Sequence, residues 1–277
     1  MIRSLYSGVS GMRGFQTKMD VIGNNIANVN TVGFKKSRVT FQDMLNQTVA
    51  SASSGEVETR GGLNPRQIGL GSQVAAINVI HTPGSPISTN VTTDLLINGD
   101  GFFAVTPGGE DQDKVFFTRA GDFTRDAAGN LVTAQGFLVL SSDGEPINIP
   151  EDYISFSIAP NGQVIGTDAA GVTGPIEDQY IGIARVTNPA GLNKVGGSLY
   201  ELTPNAHQDV DDPRDLITSI DEMEGKSQII SGQLEMSNVD LTEEFTDMII
   251  TQRGFQANSR IITTSDTMME EIINLKR

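Results

Sequence analysis

Acid–base, nucleophilic and metal chemistry draw on a short roster of side chains, and this 277-residue chain is poor in most of them. It has no cysteine, which removes thiol nucleophiles, thiolate metal sites and disulfides together. Its two histidines stand far apart. His81 follows an apolar run and precedes Thr82-Pro83-Gly84, and His207 lies in a polar stretch, so both read as turn or surface histidines and not as a base or ligand. Asn98-Gly99-Asp100-Gly101 and the acidic run Asp209, Asp211, Asp212 and Asp215 come nearest to a cation site, but neither has the combination of loop glycine and terminal glutamate that marks an EF-hand. Gly8, Gly11 and Gly14 have the wrong spacing for a dinucleotide loop and follow no strand. Carboxylates are so abundant that a pair of them selects no acid and base. The expectation is no catalytic residue, no metal and no cofactor, which turns attention to residues that associate instead of react.

The apolar fraction of 38% rises to about 49% with the 30 glycines, an ordinary globular value, so the chain should fold and bury a sizeable core. A net charge of −15 argues against nucleic acid and anionic lipid as partners, since both need a basic surface. The charge is uneven: residues 1–40 carry +5, residues 221–277 carry −6, and the 180 residues between them carry −14. Ends of opposite sign suit segments that lie side by side. No run approaches the roughly 20 apolar residues of a membrane-spanning helix, so membrane insertion is not expected. The opening MIRSLYSGVSGMRG lacks the apolar core and cleavage site of a secretory signal, so any export is expected by a route without a cleaved leader.

Those ends are where the strongest periodicity lies. Ile2, Leu5, Val9, Met12, Met19, Ile22 and Ile26 recur at three- and four-residue steps, predicting a helix of about 25 residues, or roughly 37 Å. It should stop in NNIANVNTVGF, where the side chains of Asn24, Asn25 and Asn28 compete for backbone groups and Gly33, followed by Phe34, permits positive φ. Leu241, Phe245, Met248, Phe255, Ile262, Met269 and Ile273 predict a second helix reaching Leu275. Asp240 can cap it, with Glu243 three positions on, and Lys276 and Arg277 suit its negative pole. Gly8, Gly11, Gly14 and Gly23 each cost the first helix up to about 1 kcal/mol relative to alanine, so it should form poorly alone. The first three leave a smooth strip that another helix backbone can approach. The apolar stripes therefore read as helix–helix and subunit interfaces.

Between the helices, short apolar runs alternate with turn signals, predicting strands over Val74–Ile80, Leu95–Ile97, Phe102–Val105, Val115–Thr118, Leu131–Leu140, Ile154–Ile158, Tyr180–Val186 and Leu199–Leu202. Asn161-Gly162 and Gly129-Asn130 suit hairpin turns. The expected class is α+β with discontinuous domains: 1–32 an N-terminal inner helix, 33–72 a connector, 73–225 an all-β outer domain, 226–239 a second connector, and 240–277 the C-terminal inner helix.

The segments SLYSGVSGM, MDVIGNNIANVNTVGFKKSRVTFQDML, DLLINGDGFFAV, FTRAGDFTRDAAGNLVTAQGFLVL and SNVDLTEEFTDMIITQRGFQANSRIITTSDTMMEEIINLKR resemble, in this order, the bacterial flagellar rod and hook family. Within it, GNNIANVNTVGFKKS and the closing IINLKR resemble the short hook proteins of Gram-positive bacteria more than the distal rod protein. The resemblance implies a non-enzymatic subunit of the flagellar hook, a flexible torque-transmitting tube between rod and filament, with the distal rod of the basal body as the alternative. It further implies terminal helices forming a coiled-coil core around a channel and β domains forming the outer wall. It implies many-copy helical assembly, the distal rod, hook cap and hook–filament junction proteins as partners, and export by the flagellar type III apparatus to the cell exterior.

Overall fold

A computed structural model describes residues 2–52, 61–108, 114–150, 152–168, 171–207, 212–220 and 227–275. Asp209 and Asp211 of the acidic run, and Lys276 and Arg277 at the end of the second helix, lie outside the described residues. A helix stands at each end of a mostly β chain. The chain divides into two compact units, one of Met1–Ala27, Ser37–Val79 and Asp240–Arg277, the other of Asn28–Lys36 and Ile80–Val239.

The first unit holds helices α1 (Ile2–Ala27) and α2 (Leu241–Leu275) and strands β1 (Ser37–Asp43), β2 (Asn46–Ala50), β3 (Arg66–Gly69) and β4 (Ser72–Val79). β1 pairs antiparallel with β4 from Ser37 opposite Val79 to Asp43 opposite Ser72, with a bulge between Thr40 and Phe41, and β2 pairs with β3. This corrects the expected connector over 33–72, much of which is strand. Its residues lack a sustained apolar/polar alternation because most of β1 to β3 faces solvent, so no pattern marks them. The strand expected from Val74, at the head of the outer β domain, is β4 and pairs with β1 instead.

In the second unit, antiparallel strands lie in the order Asn193–Gly196, Leu199–Glu201, Phe116–Thr118, Phe102–Thr106, Leu138–Val139, Leu131–Thr133 and Phe123–Arg125. Alternation along Phe102–Thr106 supplies two cores: Phe103 and Val105 join Leu95, Phe123, Leu131 and Ile183, while Phe102 and Ala104 join Phe117, Leu140 and Tyr200. The run Leu131–Leu140, expected as one strand, is a hairpin broken at Gly136, whose φ is +85°. Asn161-Gly162 turns between Tyr153–Ile158 and Gln163–Asp168 with Gly162 at φ +85°. The expected connector 226–239 carries strands Gln228–Ser231 and Gln233–Glu235, which pair with Leu95–Asn98 and Pro86–Ser88. Both are short, and the first pairs with Leu95–Asn98, whose first three residues are buried, a long-range contact that no local signal announces.

Beside the second core sits His81, its ring edge-on to Phe102 at 5.6 Å and to Tyr200 at 5.4 Å. Burial, then the charges of Lys35, Arg119 and Lys194, lower its pKa from 6.5 to about 4. The unfolded chain therefore takes up a proton below pH 6.5 that the folded unit refuses until about pH 4. The stability held by the neutral ring is complete above pH 6.5 and is lost as pH falls through this window. The loss is on the order of 1–2 kcal/mol, His81 as a residue being only half-buried. Replacing His81→Phe keeps the aromatic packing and should flatten the pH dependence of the urea midpoint between those values by that amount.

Candidate assembly interface on the terminal helices

α1 and α2 pack antiparallel within the first unit. A Cβ at Gly8 would sit 3.4 Å from Ile262, one at Gly11 would sit 2.5 Å from Asn258 Nδ2, and one at Gly254 would sit 2.7 Å from the Phe15 ring. Further along, Lys18 Nζ lies 3.0 Å from Asp247 Oδ2. Asn25 closes the series: its Nδ2 donates to Glu244 Oε2 (3.2 Å) and to the Ser37 carbonyl (2.9 Å), and its Oδ1 accepts from Ser37 N–H (3.0 Å). One buried amide thus ties both helices to β1.

The seam is not made of the apolar heptad alone. Its α2 side combines Glu244, Thr251, Asn258 and Ser265, seven residues apart, with Asp247, Gly254 and Ile262; Glu244, Thr251 and Ser265 are buried. Its α1 side includes Gly8, Gly11, Lys18, Ile22 and Asn25. The hydroxyls are satisfied at home, Thr251 Oγ1 donating to the Asp247 carbonyl (2.6 Å) and Ser265 Oγ to that of Ile261 (2.8 Å). Small, internally bonded side chains let the backbones approach without stranding a polar group. A seven-residue polar repeat in phase with the apolar one was the available signal, and a search for apolar periodicity passes over it.

The residues predicted to form interfaces lie largely beside this seam. Ile22 is buried; Leu5, Val9, Met12, Met19, Ile26, Met248, Phe255, Ile262 and Met269 are half-buried; Leu241 is exposed and Phe245 is 50% exposed. Ile249, Ile250, Ile261, Met268, Ile272 and Leu275 add exposed apolar surface to α2 that the apolar heptad had left out. Gly8 and Gly11 face α2, but Gly14 faces the ring of Phe41 on β1, where a Cβ would sit 2.8 Å away. At the start of α2, Asp240 Oδ1 accepts from Thr242 N–H (2.7 Å) and Glu243 N–H (3.4 Å). Asn24 is exposed.

Asn28, Gly33 and Phe34 belong to the second unit. Asn28 Oδ1 accepts from the Thr31 hydroxyl, Gly33 has φ +66° and donates its N–H to the Glu235 carbonyl (2.8 Å), and the buried Phe34 ring carries Lys194 Nζ at 4.2 Å from its centroid. Next to them Glu235, which sequence reasoning passed over, accepts from Lys35 Nζ at 2.5 Å and from Arg119 Nη1 at 3.4 Å, with all three side chains buried. Desolvation lowers the pKa of Lys35, an effect that the Glu235 charge opposes. Among the described residues, no group of three or more His, Asp or Glu could hold a metal, and no helix is long and apolar enough to cross a membrane.

Three family descriptions match the chain: "Flagella basal body rod protein" over residues 5–35, "Flagellar hook protein FlgE/F/G D1 domain" over 96–166, and "Flagellar basal body rod FlgEFG protein C-terminal" over 230–275. The flagellar basal-body rod protein FlgG of Bacillus subtilis is 51% identical over 279 residues, covering 100% of both chains. Its namesake in Borreliella burgdorferi is 39% identical over 281 residues, again with 100% of both. The flagellar hook protein FlgE of Borreliella burgdorferi is 30% identical over a 455-residue alignment that also spans 100% of both chains. The higher identities and the matching lengths go with proteins named for the rod, which weighs against the expected preference for the hook. The chain belongs to the bacterial flagellar rod and hook protein family, a family of structural proteins of the motility apparatus.

Proposed function

We propose that this chain is the distal rod subunit of the flagellar basal body, a non-enzymatic protein whose copies polymerise through α1 and α2 into a helical tube that transmits torque. The terminal helices form the coiled-coil core of that tube, and the second unit forms its outer wall. Assembly is supported by one observation above the rest: within a single chain the helices meet along a seam rich in small and polar side chains, and most of the large apolar side chains of the two helices stay half-buried or exposed. Burying roughly 300 Å² of that surface per helix contributes on the order of 5–10 kcal/mol before ordering costs. A head-to-tail contact that does not close yields an open filament. Rod is favoured over hook by the 51% identity, across both full lengths, to a protein named for the rod.

The subunit accordingly lies outside the cytoplasm, in the flagellar basal body. Immunogold labelling of isolated flagellar basal structures tests the assignment. Label on the straight shaft is expected; label confined to the bent segment beyond it would transfer the chain to the hook.

A further inference from the structure

The first unit carries complementary surfaces on opposite sides of α1. On one side, a groove of about 550 Å³ opens between α1 and the strand layer. Arg3, Tyr6 and Arg13 line it from the helix, and Met44, Leu70 and Val74 line it from the loops and β4. Its walls are mainly apolar, Tyr6 is 71% exposed, and Arg3 and Arg13 are their only charged residues.

The second surface is the end of α2. Gly8 faces Ile262 in the antiparallel pair, so counting six residues outward on each helix sets Ile2 opposite Met268. Beyond it the last two turns of α2 run past the start of α1. Met268, Ile272 and Leu275 fall at i, i+4 and i+7 on one face of that end, all exposed, with Glu271 on the same face.

Within one chain these surfaces stay apart. Gly8, Gly11 and Phe15 mark the face of α1 that meets α2, while Arg3, Tyr6, Ser10, Arg13 and Thr17 centre about 150° around the helix at 100° per residue. A chain's own α2, held at Gly8 and Gly11, cannot reach its own groove. The groove runs along α1 for about 21 Å between positions 3 and 17, enough for two turns of helix at about 11 Å.

We infer that the groove receives the end of α2 from a second copy of this chain, with Met268, Ile272 and Leu275 entering between the walls and Glu271 meeting the arginines Arg3 and Arg13. The inference rests on the assembly reading and names the contact that propagates it. Apolar burial gives the contact its strength, and the opposed charges fix its direction, because end against end or groove against groove sets like charges together.

The cysteine-free sequence makes the test clean. Full-length chains carrying Tyr6→Cys are mixed with chains carrying Met268→Cys under polymerising conditions and treated with a short bis-maleimide. The mixture should give a covalent dimer at least tenfold more abundant than either variant alone. Arg13→Glu or Glu271→Arg, both exposed positions, should each cut that yield at least tenfold, and the two together, one on each partner, should restore it. Tubes seen by electron microscopy without the mixed dimer would overturn this contact while leaving the assembly reading standing. So would a yield indifferent to both charge reversals, or a cross-link within single chains carrying both cysteines at a dilution where no polymer forms. Failure of the unsubstituted chain to polymerise at all would overturn the assembly reading and this contact with it.

Discussion

Replacing Glu235→Ala should lower the stability of the second unit by about 3–5 kcal/mol, because it leaves two cations buried without their counter-ion. Glu235 Oε1 accepts from Lys35 Nζ at 2.5 Å and from Gly84 N–H at 2.9 Å, and Oε2 lies 3.4 Å from Arg119 Nη1. Lys35 keeps the Thr82 carbonyl at 2.8 Å, and Arg119 keeps the Gly99 carbonyl at 2.8 Å, yet neither carbonyl carries a full negative charge. The residues come from three places in the sequence: the segment after α1, the end of the strand Phe116–Thr118, and the return toward α2. The loss should therefore appear as one cooperative change. Urea denaturation followed by circular dichroism reads it. Glu235→Gln, which keeps an acceptor without the charge, should fall between that variant and the unsubstituted chain. Glu145→Ala, at an exposed position, should stay within about 0.5 kcal/mol. A Glu235→Ala chain as stable as the Glu145→Ala chain would show that the buried cluster holds nothing together.

The second large effect falls on assembly. Phe245→Asp, and likewise Leu5→Asp, Met12→Asp or Met248→Asp, should abolish polymerisation while the β structure of the second unit stays folded. Phe245 is already 50% exposed in the single chain, so a carboxylate there costs the free protein little. In a polymer the same group would have to enter an apolar contact at every subunit. A penalty of about 3 kcal/mol per contact raises the concentration needed for growth more than 100-fold. Sedimentation and electron microscopy check the polymer, and the β signal in circular dichroism checks the fold. Normal tubes from these variants would remove the stripes from the interface.

The two helices were legible because amphipathic periodicity over 25 to 35 residues is a strong signal and because Asp240 and the Asn-Gly run punctuate their ends. What lay hidden was which side of each helix meets the other. Periodicity of apolar residues points to a greasy seam, whereas here glycine, threonine, serine and the Asn25–Glu244 pair share the internal contact with Ile22 and Ile262. Strands β1 to β3 were illegible for a related reason: solvent on most of their surface erases the alternation that marks a half-buried strand. The Lys35–Glu235–Arg119 cluster joins residues as much as 200 positions apart, and nothing local in the sequence singles out one glutamate among so many acidic residues.

Methionine oxidation reads most directly whether the apolar stripes find their cover in other copies. Met12, Met19, Met248 and Met269 lie on the stripes, half-buried in the single chain, and Met236 in the second unit serves as an internal reference. Treated with dilute peroxide and mapped by mass spectrometry, free chains should form sulfoxide at all five, while assembled tubes should lose reactivity at the four stripe methionines and keep it at Met236. Equal oxidation of the stripe in free and assembled protein would mean that the tube is held together by other surfaces.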